Sequence, residues 1–129
     1  MPEQPESVPT GKPVRCLVLL KRRPEMTQGE FNDYWLRVHG EIAKDYPHVI
    51  RYSQLHLLDA RSDTSPGGAT IDFGVDGIVD FLFEEGHGLF DLESSEVGRI
   101  GMKDAHNFLH AIQEIYVDEH HVVDKTSSG

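Results

Sequence analysis

Thr27-Gln28-Gly29-Glu30-Phe31-Asn32-Asp33-Tyr34-Trp35-Leu36-Arg37-Val38-His39 carries the clearest helical signature in this chain. Thr27 and Glu30 stand at the spacing of a capping box, in which each side chain satisfies an orphan N–H at the helix start. Phe31, Tyr34, Trp35, Val38, Ile42 and Tyr46 then recur at helical intervals, which predicts one inward face on a helix over residues 28–45. On that wheel His39 falls at the rim of the apolar stripe, beside Trp35 and Ala43. Pro47 closes the helix, because the residue before a proline is pushed out of the helical region.

Working outward, residues 14–21 form a short apolar run that reads as a mostly buried strand, broken by Pro24. Residues 49–58 alternate, with Ile50, Tyr52, Gln54, His56 and Leu58 on one face, and that period of two predicts a second strand. Residues 59–75 form a long loop containing Ser65-Pro66-Gly67-Gly68; loops of this length in a small domain usually carry function or are disordered. A third strand is expected over 76–84, with Gly77, Val79, Phe81 and Phe83 on one side. A short helix is expected over 88–96. A further helix over 99–110 has Ile100, Met102, Ala105, Phe108 and Leu109 as its apolar positions, and a last strand is expected over 112–124. The order is strand, helix, strand, strand, helices, strand. It predicts an α+β, ferredoxin-like split βαβ sandwich with a four-stranded antiparallel sheet. One face of such a sheet stays partly apolar, and pairing two sheets face to face in a homodimer would cover it.

Composition narrows the function. The 129 residues carry a formal net charge of −10, with a pI near 5.1, which argues against nucleic acid because little here would displace phosphate counterions. No run is long and apolar enough to span a bilayer, so no membrane partner is expected. Cys16 is the single cysteine; it excludes an internal disulfide and points to a reducing cytoplasm. Residues 1–13, rich in proline and glutamate, are expected to be disordered. The folded domain is expected over 14–124, followed by a flexible tail over 125–129.

Phe31-x-x-Tyr34-Trp35-x-x-x-His39 followed by Arg51-Tyr52-x-Gln54 resembles the signature of EthD-domain proteins, members of the dimeric α+β barrel superfamily. The strand Asp76-Gly77-Ile78-Val79-Asp80-Phe81-Leu82-Phe83 and the segment Asp104-Ala105-His106-Asn107-Phe108 fit the same pattern, so the likeness spans residues 14–122. The resemblance implies a homodimer through the sheet faces, closing into an α+β barrel. It also implies chemistry on small cyclic or aromatic-derived metabolites without metal or organic cofactor. Methylmuconolactone isomerases, which are similar over this length, carry a cysteine near the position of Phe81 and a histidine in the preceding loop. This chain has phenylalanine at the first place and no histidine at the second, so that particular isomerisation is not expected to transfer unchanged.

A histidine projecting from the first helix toward the sheet would meet the second strand, where Tyr52 and His56 share a face about 13 Å apart. Imidazole titrates near neutrality and suits a proton carrier. The expected catalytic set is His39 as general base, Tyr52 as a donor to a developing oxyanion, and His56 or Asp104 as a secondary partner. Tyr34, Trp35, Phe81 and Phe108 are expected to contact substrate. The reaction would be an isomerisation, cyclisation or dehydration. Two other readings fit the same residues: an oxidoreductase-linked role, as a cofactor-free monooxygenase or an accessory protein of an ether-degrading oxygenase system, and a non-catalytic carrier of a small ligand. Each residue also has a structural reading, with His39 a satisfied core histidine, Tyr52 a packing residue and Trp35 simply core. His106 and His110 stand four apart on the expected last helix, with His120 and His121 on the last strand. Adjacent strand residues point to opposite faces, so a closed metal site is not expected from them.

Overall fold

β1 (Val14–Arg22) lies at the centre of the sheet, where its alternation of buried Cys16, Val18 and Leu20 with half-buried Leu17 and Leu19 is covered on both edges. In the computed structural model, which describes residues 11–59 and 73–126, β1 pairs antiparallel with β3 (Gly77–Phe83) and β4 (Leu109–Val117). β3 in turn pairs antiparallel with β2 (Val49–His56), giving the order β2-β3-β1-β4. This is the four-stranded antiparallel α+β sheet of the ferredoxin-like fold. Much of the N-terminal segment and most of the 59–75 loop lie outside the described residues.

Helices cover one face of the sheet. α1 (Gln28–Tyr34) starts at Thr27, whose side chain accepts from Glu30 N–H while Glu30 Oε1 accepts from Thr27 N–H at 2.8 Å, so the expected capping box is present. The helix then widens into one π turn, Trp35–His39, before α2 (Gly40–Ala43). The extra residue in that turn changes the inward face. Phe31, Trp35, His39, Ala43 and Tyr46 are buried, a spacing of four, four, four and three. Val38, expected inside, is instead 41% exposed, while His39 is only 9% exposed and sits on the inward line rather than at its rim. Wide turns of this kind occur mainly as single interruptions and are frequent at functional sites.

The second helical unit is a 3₁₀ segment (Leu89–Ser94) followed by α3 (Glu96–Ala105), capped by Ser95 Oγ accepting from Gly98 N–H at 3.0 Å. The helix expected over 99–110 therefore begins and ends earlier. Phe108 is fully buried beyond its end, and Leu109 already belongs to β4. The last strand stops at Val117 and not at 124 because its partner runs out: Val117 pairs with Arg15, at the start of β1. β2 likewise stops at His56, opposite Gly77 at the start of β3.

The core lies between the sheet and the helices and is dominated by Phe31, Trp35, Phe83 and Phe108, all fully buried. The far face of the sheet carries Leu17, Leu19 and Ile78 as partly buried apolar residues, with Leu55 exposed beside them. Asp80 lies on that same face at 8% exposure, held by Arg15 through hydrogen bonds of 3.1 and 2.8 Å. That pairing keeps its carboxyl below the usual range.

Candidate active site

His39 ends the π turn, so its ring enters the space between helices and sheet. Its Nδ1 lies 3.0 Å from Asp104 Oδ2, in the last turn of α3. A carboxylate at a helix C-terminus faces the negative end of the helix dipole and needs other support. Tyr34 O–H supplies it, donating to Asp104 Oδ1 at 2.5 Å, and Asn107 Nδ2 donates to the same oxygen at 3.2 Å. Burial works against ionisation of Asp104, but the hydrogen bonds from Tyr34, His39 and Asn107 outweigh it and hold the carboxyl below its ordinary pKa.

Burial is also the largest influence on His39. It pushes the imidazole pKa down, and the partly compensating contact with Asp104 does not restore it. Near neutral pH the pair is thus an aspartate and a neutral imidazole. Asp104 accepts from Nδ1–H, which fixes the tautomer and leaves Nε2 as the basic nitrogen. Tyr46 Oη stands 3.4 Å from Nε2, and burial keeps that phenol protonated by raising its pKa far above the ordinary value. Tyr46 reaches this position because Gly101 of α3 has no side chain. A Cβ there would stand 2.0 Å from the hydroxyl oxygen.

His39 borders a cavity of about 100 Å³ whose other walls include Trp35, Tyr46, Tyr52, Phe81 and Phe108. The walls are almost entirely carbon, so a ligand held there would be mostly apolar. Tyr52 packs on Phe81 with ring centroids 5.2 Å apart. Its hydroxyl accepts from Gln54 Nε2 at 2.9 Å, and the same amide donates to the Trp35 carbonyl at 2.9 Å. Burial raises the Tyr52 pKa, so it too is a neutral phenol.

The residues singled out from the sequence fall into three places. His39, Tyr52, Trp35, Phe81 and Phe108 meet at the cavity. Asp104 and Tyr34 stand behind His39, where Tyr34 binds Asp104. His56 turns away from His39: its ring stacks on Trp35 at 4.5 Å, and its Nε2 meets Gln54 Oε1 at 2.8 Å, beside a separate shallow groove lined by Leu36, Gly40 and Lys44. Tyr46, Gln54 and Asn107 take part without having been singled out for the site. Tyr46 was visible only as a member of the apolar stripe and Gln54 only as part of the strand motif.

Potential metal ligands behave differently from the sequence pattern. His106 lies just past the end of α3 and His110 lies on β4, so they do not share a helix. His120 and His121 follow β4 and are exposed, paired with Asp118 and Glu119. His48, His87 and Asp91 each place one ligand atom within 4.8 Å of the others. The rings of His48 and His87 stack at 3.6 Å and 7°, with Nδ1 of each on a carboxylate, Glu84 and Asp91. Parallel rings aim their lone pairs in parallel planes and not at one ion, so this arrangement is a stacked histidine pair.

Fold and site together define a ferredoxin-like α+β protein in which an aspartate–histidine pair faces an apolar cavity. The model of the EthD domain matches residues 23–112, and the chain belongs to the EthD family. Among solved structures, an ethyl tert-butyl ether degradation (EthD) family protein from Bacillus halodurans is 16% identical at a TM-score of 0.57, the match covering 83% of this chain and 99% of that one. A dimeric ferredoxin-like protein from Thermobifida fusca is 11% identical at 0.57, covering 88% and 96%. A hydroxynitrile lyase from Passiflora edulis is 12% identical at 0.56, covering 86% and 98%. At these identities the likeness is one of fold. No curated protein matches the chain in sequence. No helix among the described residues is long and apolar enough to cross a membrane.

Proposed function

We propose that this protein is a cofactor-independent cytoplasmic enzyme that isomerises, cyclises or dehydrates a small cyclic or aromatic-derived metabolite by moving a proton. The observation that carries this reading is the 3.0 Å contact between Asp104 and His39 Nδ1, which leaves His39 Nε2 as the base beside an apolar cavity. In the reaction His39 Nε2 takes a proton from substrate carbon, and the resulting imidazolium is stabilised by Asp104. Tyr52, a neutral phenol bordering the same cavity, donates to the oxygen that becomes negative. The imidazolium then returns the proton at another atom or delivers it to a departing hydroxyl. Such acid–base help is worth on the order of 10²–10⁴ in rate. A structural neighbour named as a hydroxynitrile lyase supports placing lyase-type chemistry on this scaffold.

The working form we propose is a homodimer through the far face of the sheet. Its apolar residues Leu17, Leu19, Ile78 and Leu55 support this, as does the dimeric state in the name of the Thermobifida neighbour. The test of the catalytic reading is turnover of a panel of lactones, phenolics and polyketide-like rings, run with and without oxygen. Oxygen-independent conversion by wild type that His39→Ala abolishes is the expected result. Wild-type rates in His39→Ala, with bound substrate, would sink the proposal.

A further inference from the structure

Tyr34 is the last residue of α1, and His39 ends the π turn that follows it. On a regular α-helix residues five apart lie about 140° round the axis from one another and point in different directions. In a π turn each bond reaches back five residues, as Gly40 N–H does to the Trp35 carbonyl, and residues five apart come close to alignment. Both side chains therefore reach one carboxylate on α3. Tyr34 O–H donates to Asp104 Oδ1 at 2.5 Å, and His39 Nδ1 lies 3.0 Å from Oδ2. Asn107 Nδ2 completes the cluster, donating at 3.2 Å both to Oδ1 and to the Tyr34 hydroxyl oxygen. Phe108 packs against both rings, its centroid 5.4 Å from that of Tyr34 and 4.9 Å from that of His39. Tyr34, expected to touch substrate, does not border the cavity.

We propose that Tyr34 is a positioning residue for the proton transfer: its hydroxyl pins Asp104 and, by sharing the carboxylate's charge, sets how basic His39 is. The proposal rests on the acid–base function proposed above and names what tunes its base. A carboxylate whose Oδ1 accepts a charge-assisted O–H bond has less negative charge to offer an imidazolium at Oδ2. Tyr34 thereby lets Asp104 hold the His39 tautomer without over-stabilising the charged ring, which would keep its proton instead of passing it on. Burial and the adjoining carboxylate raise the Tyr34 pKa, so the phenol stays a donor at neutral pH. The polar groups that face His39 are Asp104 from α3, Tyr46 from beyond α2 and, bordering the same cavity, Tyr52 from β2. β1, β3 and β4 contribute only apolar side chains to that cavity. Lys103 and His106, close to Asp104 along the chain, are exposed. So are Asp33 and Arg37 beside Tyr34, which pair with each other at 2.5 Å.

Titrating the ring nitrogens of the ¹⁵N-labelled full-length protein by NMR tests this without any substrate, the His39 signals being those lost in His39→Gln. Tyr34→Phe keeps the ring against Phe108 and removes the donor. The His39 pKa should then rise by about half a unit, part of what a hydrogen bond to a charged group is worth. Asp104→Asn, which removes the charge itself, should lower it. Asn107→Ala, at an exposed position, should raise it by less than Tyr34→Phe does. Should Tyr34→Phe fail to fold, Asn107→Ala decides, and no rise in it overturns the proposal. A His39 titration unmoved or lowered in Tyr34→Phe, whatever the change in melting temperature, overturns it too and makes Tyr34 a structural tie between α1 and α3. Turnover of the lactone, phenolic and polyketide-like panel reads the parent function separately. If His39→Ala keeps wild-type rates while the titration shifts as expected, the acid–base function fails and the coupling of Tyr34 to His39 stands. If His39→Ala is inactive and the titration does not move, the coupling fails and the function stands.

Discussion

Asp104 Oδ2 stands 3.0 Å from His39 Nδ1, joining the end of α3 to the wide turn of the first helical unit across 65 residues of sequence. The contact makes one nitrogen a fixed donor and the other a base. It also ties the two helical units together at the cavity they border.

Asp104→Asn should leave the ring in place and spoil its chemistry. The amide no longer stabilises an imidazolium, and its NH₂ can hydrogen-bond the wrong tautomer. Turnover should fall by about 10²-fold or more, within the range that acid–base groups supply. Asp104 also raises the His39 pKa against burial, so the acid limb of the rate profile should move to still lower pH. Unchanged turnover and an unchanged limb would separate Asp104 from the reaction.

Stability should decline in acid in two stages. The folded-state pKa of His39 lies below its ordinary 6.5, through burial. The unfolded chain therefore binds this proton first as pH falls, and stability present above 6.5 is lost between 6.5 and the lower folded value. Asp104 is likewise depressed below 3.8, so a second loss begins as pH falls below 3.8. Urea midpoints measured from pH 8 to pH 3 should show both stages, and His39→Gln should flatten the first. A first stage that persists in His39→Gln would assign it to another group.

Gly101→Ala should damage the site by sterics alone. The new methyl would lie 2.0 Å from Tyr46 Oη, so either the tyrosine leaves His39 or α3 lifts from the core. Overpacking of this kind costs roughly 1–3 kcal/mol. Thermal melts should show a clear loss, and Gly101→Ala combined with Tyr46→Phe, which removes the clashing oxygen, should recover part of it. No recovery would mean that the Tyr46 ring carbons, which would stand 2.7 Å from the new methyl, and not the hydroxyl carry the clash.

What the sequence made legible was whatever local chemistry sets. Thr27 and Glu30 marked the helix start, and alternation marked β2 and β3. Two things were hidden for the same reason, since both depend on partners far along the chain. A 3.6-residue period put Val38 inside and His39 at the rim; the π turn, stabilised in part by Gln54 reaching the Trp35 carbonyl, reverses the two. Asp104 could be named as a secondary partner only as the alternative to His56, because its place depends on where α3 ends. That end was misjudged because Phe108 and Leu109 continue the apolar pattern after the helix has stopped. His56 shared a strand face with Tyr52 as expected, yet stacking on Trp35 takes its ring out of reach of His39.

Ile78→Glu tests the proposed assembly. Ile78 pairs with Leu19 on β1 and Leu55 on β2, which places it within the apolar far face of the sheet. In a lone chain that face is in water, and a glutamate there would cost little. In a dimer joined through the sheets the same carboxylate would be taken out of water among apolar residues of both chains, and burying a charge is far more costly than exposing one. The variant should therefore run as a monomer in light scattering where wild type runs as a dimer, with its far-ultraviolet spectrum retained. Asp80, already paired with Arg15 on that face, offers the internal control. Asp80→Asn would loosen Arg15 without adding a charge and should weaken the dimer less than Ile78→Glu. A wild type that is monomeric at every concentration tested would overturn the assembly and leave the cavity, built within one chain, unaffected.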